Sequence, residues 1–194
     1  MRKPRHLPRA LPPETLQALL ASPDLSKPTG LRDRALLELL YGAGLRISEA
    51  LSRTVADWEQ EHAALRVTGK RGKTRFVPLP PGTAQWVDHY LREARPRLAK
   101  KAIGALFLGA RGGALSRQSA FHIVAEHRRR AGIPQEVSPH VLRHTYAVHL
   151  LRGGADLRAV QELLGHASVE STAIYTQLDL DHVRDQFRRS HPRG

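Results

Sequence analysis

The chain has 194 residues, of which 41% are hydrophobic, and a formal net charge of +13 from 31 Lys and Arg against 18 Asp and Glu. This composition is that of a folded domain rather than of a disordered polycation. The chain has no cysteine, which excludes a disulfide scaffold, a thiol nucleophile and any Cys-ligated metal site.

The location and the partner are predicted from the same composition. No apolar run approaches the roughly 20 residues that span a bilayer, and the first residues lack the apolar segment of a secretory signal. We therefore expect a cytoplasmic protein. A folded domain of this charge repels itself and favours a polyanionic partner, with nucleic acid as the first candidate and an acidic membrane surface as the second. Aromatic residues make up only 5% of the chain, which disfavours stacking on single strands. The charge fits both a protein that binds duplex nucleic acid and a basic protein without such a partner.

The predicted elements begin after a basic, proline-broken segment, residues 1–12, which is typical of a linker or arm. Leucines recur at helical spacing from Pro13 onward, and Gly42 and Gly44 end the second helix. Helices are predicted from Pro13, over about 31–40, 47–53, 84–95, 116–131, 139–152, 156–164 and 169–176, and over about 181–190 at the C-terminus.

Two segments change from the helical period to a strand pattern. Residues 62–68 and 74–79 favour strands, and the glycine-containing connection 69–73 predicts a β-hairpin between them. Phe107 and Leu108 predict a further short strand. The predicted fold class is α+β, mainly helical, with one small antiparallel sheet.

A group of basic residues follows a strong helix start at Ser138-Pro139. His140, Arg143 and His144 are spaced i, i+3 and i+4, so they share one face near the helix N-terminus, where phosphate binds favourably. A zinc site is disfavoured because no Glu lies between the histidines and no Cys is available. By themselves these residues fit a phosphate receptor or an ordinary surface group.

Other candidate residues are equally open when each is taken alone. Arg46 and Glu49 lie three residues apart on a helical turn, which fits either a surface ion pair or an arginine aimed at a phosphate. The hairpin carries four cations, which fit either a solvated tip or a segment that contacts DNA: Lys70, Arg71, Lys73 and Arg75. His166 follows a helix-ending glycine, and Tyr175 by itself fits a half-buried aromatic whose hydroxyl is hydrogen-bonded.

The order of these residues resembles the tyrosine recombinase (phage integrase-type) family. The order is Arg46, Lys70, His140, Arg143, His166 and Tyr175. It stands within the strings GLRISEAL, VTGKRGKTRFVPLP and SPHVLRHTYAVHLLRGGADLRAVQELLGHASVESTAIYTQLD. The similarity runs from about residue 12 to the end, and the C-terminal strings look most like the Xer branch, which resolves chromosome dimers. The resemblance implies the family's catalytic-domain fold for residues 13–194.

The resemblance also implies a role for each residue. Tyr175 is the implied nucleophile, which forms a 3′-phosphotyrosyl bond without metal or ATP. The other implied site residues are Arg46 and Arg143 on the phosphate, His140 and His166 beside it, and Glu49 as a supporting acid. We expect Arg143 to be exposed. Lys70 is the implied hairpin lysine, with Lys73 as an alternative because Arg71 stands where the family commonly has glycine.

The implied organisation and partners follow from the same resemblance. Residues 1–12 correspond to the inter-domain linker, and the family's N-terminal core-binding domain is expected to be absent from this chain. The implied partner is duplex DNA, with no membrane, in a nucleoid-associated location. A tetramer on DNA through the C-terminal helix, alone or with a paralogous recombinase, is also implied. The alternatives are a phage or transposon integrase, a type IB topoisomerase and a non-catalytic duplex-binding module.

Overall fold

The computed structural model of the chain describes residues 9–69 and 72–165, together with residue 189. The helices are α1 (Pro13–Ala21), α2 (Pro28–Gly42), α3 (Ile47–Leu51), α4 (Pro81–His89), α5 (Arg95–Leu98), α6 (Arg117–Arg130), α7 (Pro139–Arg152) and α8 (Leu157–Leu163). The strands are β1 (Trp58–Glu59), β2 (Ala64–Thr68) and β3 (Thr74–Pro78). The mainly helical α+β prediction is confirmed, whereas the helices predicted over 169–176 and 181–190 lie outside the described residues.

Most helix starts were readable from the sequence because they use local capping. Proline occupies the first turn of α1, α2, α4, α5 and α7, where its missing N–H costs no helical hydrogen bond. The hydroxyl of Ser116 accepts a hydrogen bond from Ser119 at the start of α6, and that of Ser138 accepts one from Val141 at the start of α7. The starts of α1, α6 and α7 agree with the predicted ones to within a residue or two, whereas α2 begins at Pro28, before the predicted 31.

The helix predicted over 84–95 differs from the observed structure in two ways. It begins earlier, at Pro81, because proline is well accommodated at the first helical position. It also contains a π-helical turn, Tyr90–Ala94, before α5 begins. Pro96 cannot donate to the carbonyl one turn back, which breaks the regular hydrogen-bond ladder at this point.

Helix α2 forms the centre of the core. It is buried on nearly every side and packs against α1, α3, α4, α5 and α7. The largest wholly buried side chains are aromatic, and the first of them lies on α2 itself: Tyr41, Tyr90, Tyr146 and Phe107. Within the described part of the chain, no helix combines the length and hydropathy needed to cross a bilayer.

The sheet is antiparallel, in the order β1-β2-β3. The predicted hairpin is confirmed, with Leu65 opposite Val77 and Thr68 opposite Thr74. Strand β1 was not predicted, because its two residues are too few to show a period. The strand predicted at Phe107-Leu108 is wrong: Leu108 makes only an isolated bridge to Ala114, since the apolar pair is buried in the core without a neighbouring strand.

Candidate active site

A tight turn between α2 and α3 brings three parts of the chain together. Gly44 in this turn has φ +57°, a conformation that favours glycine. A Cβ at this position would collide with the ring of Tyr146, so the turn lies directly against α7. Helix α3 then begins with Arg46 at its N-cap, and the Glu49 carboxylate accepts the backbone N–H of Arg46 at 3.0 Å. Local folding alone therefore pairs Arg46 with Glu49.

Three guanidinium groups surround the Glu49 carboxylate. Nη1 of Arg46 lies 3.3 Å from Oε1, and Nη1 of Arg75 lies 3.1 Å from the same oxygen. Nη1 of Arg143 lies 3.9 Å from Oε2. Burial of Glu49 opposes its charged form, but the hydrogen bond and charge of Arg75, with contributions from Arg46, outweigh it and hold the pKa of Glu49 below its usual value. Glu49 is therefore ionised at neutral pH.

Arg143 is buried, which corrects the expectation that it is exposed. Its relative exposure is 9%. Its Nη1 donates to the carbonyl of Gly44 at 2.6 Å, and its Nη2 donates to the carbonyl of Leu164 at 2.7 Å. Burial, together with the nearby charge of Arg46, lowers the pKa of Arg143 to about 10, so it remains a cation at neutral pH. The expectation failed because helical spacing shows which residues share a face, but not what that face packs against.

The two histidines near Arg143 differ in their surroundings. His140 lies in the first turn of α7 and is exposed, with its ring centroid 6.4 Å from that of Phe121. His144, one residue beyond Arg143, is half-buried. The structure therefore places an exposed imidazole one helical turn before the buried guanidinium.

The structure describes some of the predicted site residues and not others. The structure brings together Arg46, Glu49 and Arg143, with His140 on the same helix as Arg143. Lys70, His166 and Tyr175 lie outside the described residues, so their roles stay predictions.

Sequence reasoning missed Arg75, which it grouped with the cations of a solvated hairpin tip. Lys73 is indeed exposed. The side chain of Arg75, however, is only 14% exposed, and its two terminal nitrogens donate to Glu49 at 3.1 and 3.4 Å. Arg75 lies two residues before the buried Val77 on β3. The period of two along a strand was therefore the signal that could have placed it on the inward face.

The cluster can bind an anion. Around Glu49, the guanidinium groups outnumber the single carboxylate, which leaves an excess of positive charge. The side chain of Arg46 is 38% exposed, so this charge reaches solvent. A planar guanidinium donates two parallel hydrogen bonds to the oxygens of a phosphate. The geometry therefore fits a phosphate group.

The chain is similar in sequence to known proteins. The sequence profile of the phage integrase family matches residues 9–182. Tyrosine recombinase XerD of Corynebacterium glutamicum is 50% identical over 193 residues, which make up 98% of this chain and 64% of that protein. The chain therefore spans slightly less than two thirds of the length of this relative.

Solved structures of recombinases have the same fold. The structure of XerA recombinase has a TM-score of 0.76 at 29% identity, over 98% of this chain and 68% of that one. A post-cleavage complex of XerH recombinase with a palindromic difH substrate has a TM-score of 0.72 at 30% identity, over 93% of this chain and 52% of that one.

Proposed function

The chain belongs to the phage integrase family, the tyrosine recombinases, and on this premise we propose that it carries the catalytic domain of a Xer-like site-specific recombinase. In this proposal residues 13–194 form the catalytic domain and residues 1–12 form a basic arm. The domain cleaves and rejoins duplex DNA, as resolution of chromosome dimers requires. The observation that carries the proposal is the convergence of two guanidinium groups, those of Arg46 and Arg143, on one buried carboxylate.

The arginine pair suits the charge of a phosphodiester. A phosphodiester resists nucleophilic attack because it is anionic, and its negative charge increases in the transition state. Arg46 and Arg143 donate to the non-bridging oxygens and stabilise this charge, while Glu49 holds Arg46 in place. Pre-arranged donors of this kind typically contribute about 10²–10³-fold each to the rate.

The remaining roles come from the residues whose order resembles the family. The phenol oxygen of Tyr175 attacks the phosphorus, its proton passes to His140, and the bond from phosphorus to the 5′ oxygen breaks. Lys70, or its alternative Lys73, protonates that oxygen as it leaves, and His166 donates to the phosphate. The phosphotyrosyl ester retains the bond energy, so the 5′-hydroxyl of another strand reverses the reaction without ATP.

The proposed partner is duplex DNA in the cytoplasmic nucleoid. The excess positive charge of the chain supports this, and the XerH recombinase of the solved complex is bound to its difH substrate. We further propose that four copies assemble on DNA through the segment 181–190, alone or with a paralogous recombinase. Deletion from Asp181 onward should therefore abolish cooperative assembly, measured by sedimentation of protein–DNA complexes. Unchanged assembly would contradict this part of the proposal.

Covalent trapping tests the proposal. A library of nicked duplexes with a randomised central sequence loses the short 5′-hydroxyl fragment after cleavage, so the intermediate cannot be rejoined. The full chain should form a covalent adduct at a 3′-phosphate, and Tyr175→Phe should form none. Mass spectrometry of the adduct identifies the attached residue. Binding without any adduct would favour the non-catalytic duplex-binding module, and an adduct with Tyr175→Phe would refute the assignment of the nucleophile.

A further inference from the structure

Arg75 of β3 lies in the arginine cluster around Glu49, but the proposed reaction assigns it no role. It comes from β3, whereas Arg46 and Glu49 come from α3 and Arg143 from α7. We propose that Arg75 is a positioning residue of the active site. Its guanidinium pairs with the carboxylate of Glu49, so that Arg46 and Arg143 remain oriented toward the phosphate. This inference rests on the proposed function.

The contact between Arg75 and Glu49 spans both oxygens of the carboxylate. Nη1 of Arg75 lies 3.1 Å from Oε1, and Nη2 lies 3.4 Å from Oε2. Both side chains are largely buried, at 14% and 7% exposure. Screening by water is therefore weak, and the paired geometry suits a guanidinium better than the ammonium of lysine.

The same carboxylate is shared with both phosphate-binding arginines. Oε1 of Glu49 is 3.3 Å from Nη1 of Arg46, and Oε2 is 3.9 Å from Nη1 of Arg143. If Arg75 were neutral, the charge of Glu49 would be left to Arg46 and Arg143 alone. Its attraction would then draw the two guanidinium groups toward the carboxylate and reduce the positive charge available to a phosphate.

Arg75 also contacts the turn that ends α8. Gly165 has φ +69°, and a Cβ there would lie 2.8 Å from Cζ of Arg75. The preceding carbonyl, that of Leu164, accepts the hydrogen bond from Arg143. The two arginines therefore contact neighbouring residues of one turn, so Arg75 helps to set the position of Arg143 as well as the charge of Glu49.

The two terminal nitrogens of Arg75 are both directed to Glu49. Its Nε atom is buried and makes no hydrogen bond within the described part of the chain. Within that part, the side-chain hydrogen bonds of Arg75 are therefore made to Glu49, as expected of a residue that orients the site.

A double-mutant cycle tests the inference in the full chain. Arg75→Gln should slow single-turnover adduct formation on the nicked duplex by about 10²-fold, the effect typical of misplacing the groups that hold the reacting atoms. The amplitude of the reaction should remain unchanged, whereas structural damage would lower it. Adding Glu49→Gln should cost little more than the slower single variant, because the two residues act as a unit. Arg75→Lys should lie between wild type and Arg75→Gln.

Arg66 provides the matched control. It lies on β2 of the same hairpin, is 45% exposed and pairs with Asp57 instead of Glu49. Arg66→Gln should leave the rate of adduct formation unchanged and should combine additively with Glu49→Gln. Additive effects for Arg75→Gln and Glu49→Gln, or a normal rate for Arg75→Gln, would overturn the inference while leaving the proposed function intact.

A measurement that needs no catalysis separates the two proposals. Arg75 joins β3 to α3 through Glu49. Arg75→Gln should therefore increase the rate of trypsin cleavage after Lys73 about fivefold under native conditions, because the hairpin opens more often, and Arg66→Gln should not. If wild type forms no adduct, the proposed function fails. Unchanged cleavage after Lys73 in Arg75→Gln would then overturn the positioning role as well.

Discussion

Two buried glutamates of this domain have different surroundings. Glu38 on α2 is wholly buried, and Nε and Nη2 of Arg34 donate to one of its oxygens at 3.0 and 2.7 Å. The guanidinium of Arg34 is covered by the ring of Trp86, 4.5 Å from the ring centroid. Glu49 is also buried, but Arg46 beside it is 38% exposed, compared with 12% for Arg34. The arginine beside Glu38 is enclosed within the protein, whereas an arginine beside Glu49 reaches solvent.

This difference separates a structural ion pair from a site that can bind an anion. The pair at Glu38 links neighbouring turns of α2, with further hydrogen bonds to Leu20 of α1 and Thr83 of α4, and it presents little charge to solvent. The group at Glu49 joins α3, β3 and α7, and presents positive charge to the surface. We therefore expect substitutions at Glu38 to change stability alone, and substitutions around Glu49 to change DNA cleavage more than stability.

The largest effect is expected at Arg143. Arg143→Ala should reduce adduct formation on the nicked duplex about 10³-fold, because a preorganised phosphate donor is lost. It should also lower the free energy of unfolding by about 1–3 kcal/mol, since the carbonyls of Gly44 and Leu164 lose their donor. Urea unfolding and single-turnover cleavage measure the two effects. A cleavage rate per folded molecule equal to wild type would contradict the role of Arg143.

The next effect tests the comparison directly. Glu38→Gln should lower the free energy of unfolding by about 3 kcal/mol, because a buried guanidinium loses its charged partner. The rate of adduct formation per folded molecule should stay within about twofold of wild type, as expected for a substitution away from the reacting groups. Glu49→Gln should show the opposite pattern, with a smaller change in stability and a larger loss of cleavage. Equal losses of cleavage for both variants would show that Glu38 and Glu49 do not differ in their role in cleavage.

An effect of comparable size on stability is expected at the turn against α7. Gly44→Ala should cost about 2–4 kcal/mol of stability, because a positive φ is combined with a collision with Tyr146. Gly132 is the matched control: it has φ +65°, and nothing lies within 4 Å of a Cβ placed there. Gly132→Ala should cost about 1 kcal/mol, from the backbone alone. Urea unfolding checks both values, and equal costs would show that the contact with Tyr146 is easily relieved.

The smallest effect concerns the other end of α7. Nε2–H of His149 donates to the carbonyl of Leu11 at 2.9 Å, so Nδ1 accepts from the hydroxyl of Tyr41. Burial lowers the pKa of His149 from its usual 6.5, although the hydrogen bond to Leu11 acts in the opposite direction. The unfolded chain therefore binds this proton first as pH falls. The contribution to stability is complete above pH 6.5 and is lost as pH falls through the lower folded pKa.

The measurement is the dependence of urea unfolding on pH between 7.5 and 5. His149→Gln should reduce the slope of stability against pH by at most about 1.4 kcal/mol per pH unit, the limit for one proton. An unchanged slope would show that other groups account for the pH dependence.

Sequence reasoning succeeded where the determinant was local. Ser138-Pro139 predicted the start of α7, because a cap and a proline act within one turn. The pair of Arg46 and Glu49 was also readable, because both lie in one capping box. The burial of Arg143 and the placement of Arg75 were not predicted, because both depend on contacts between residues far apart in the chain.

By itself, the amino-acid sequence determined the order of the helices, the hairpin and the membership of a family, since local hydrogen bonds, periodicity and motif order are all properties of the chain. Only the tertiary structure decided which cations face Glu49 and which face solvent. The physical reason is that a guanidinium is buried only where a carboxylate and backbone carbonyls compensate for its lost hydration. In this domain those partners come from α3, from the turn between α2 and α3, and from the turn after α8.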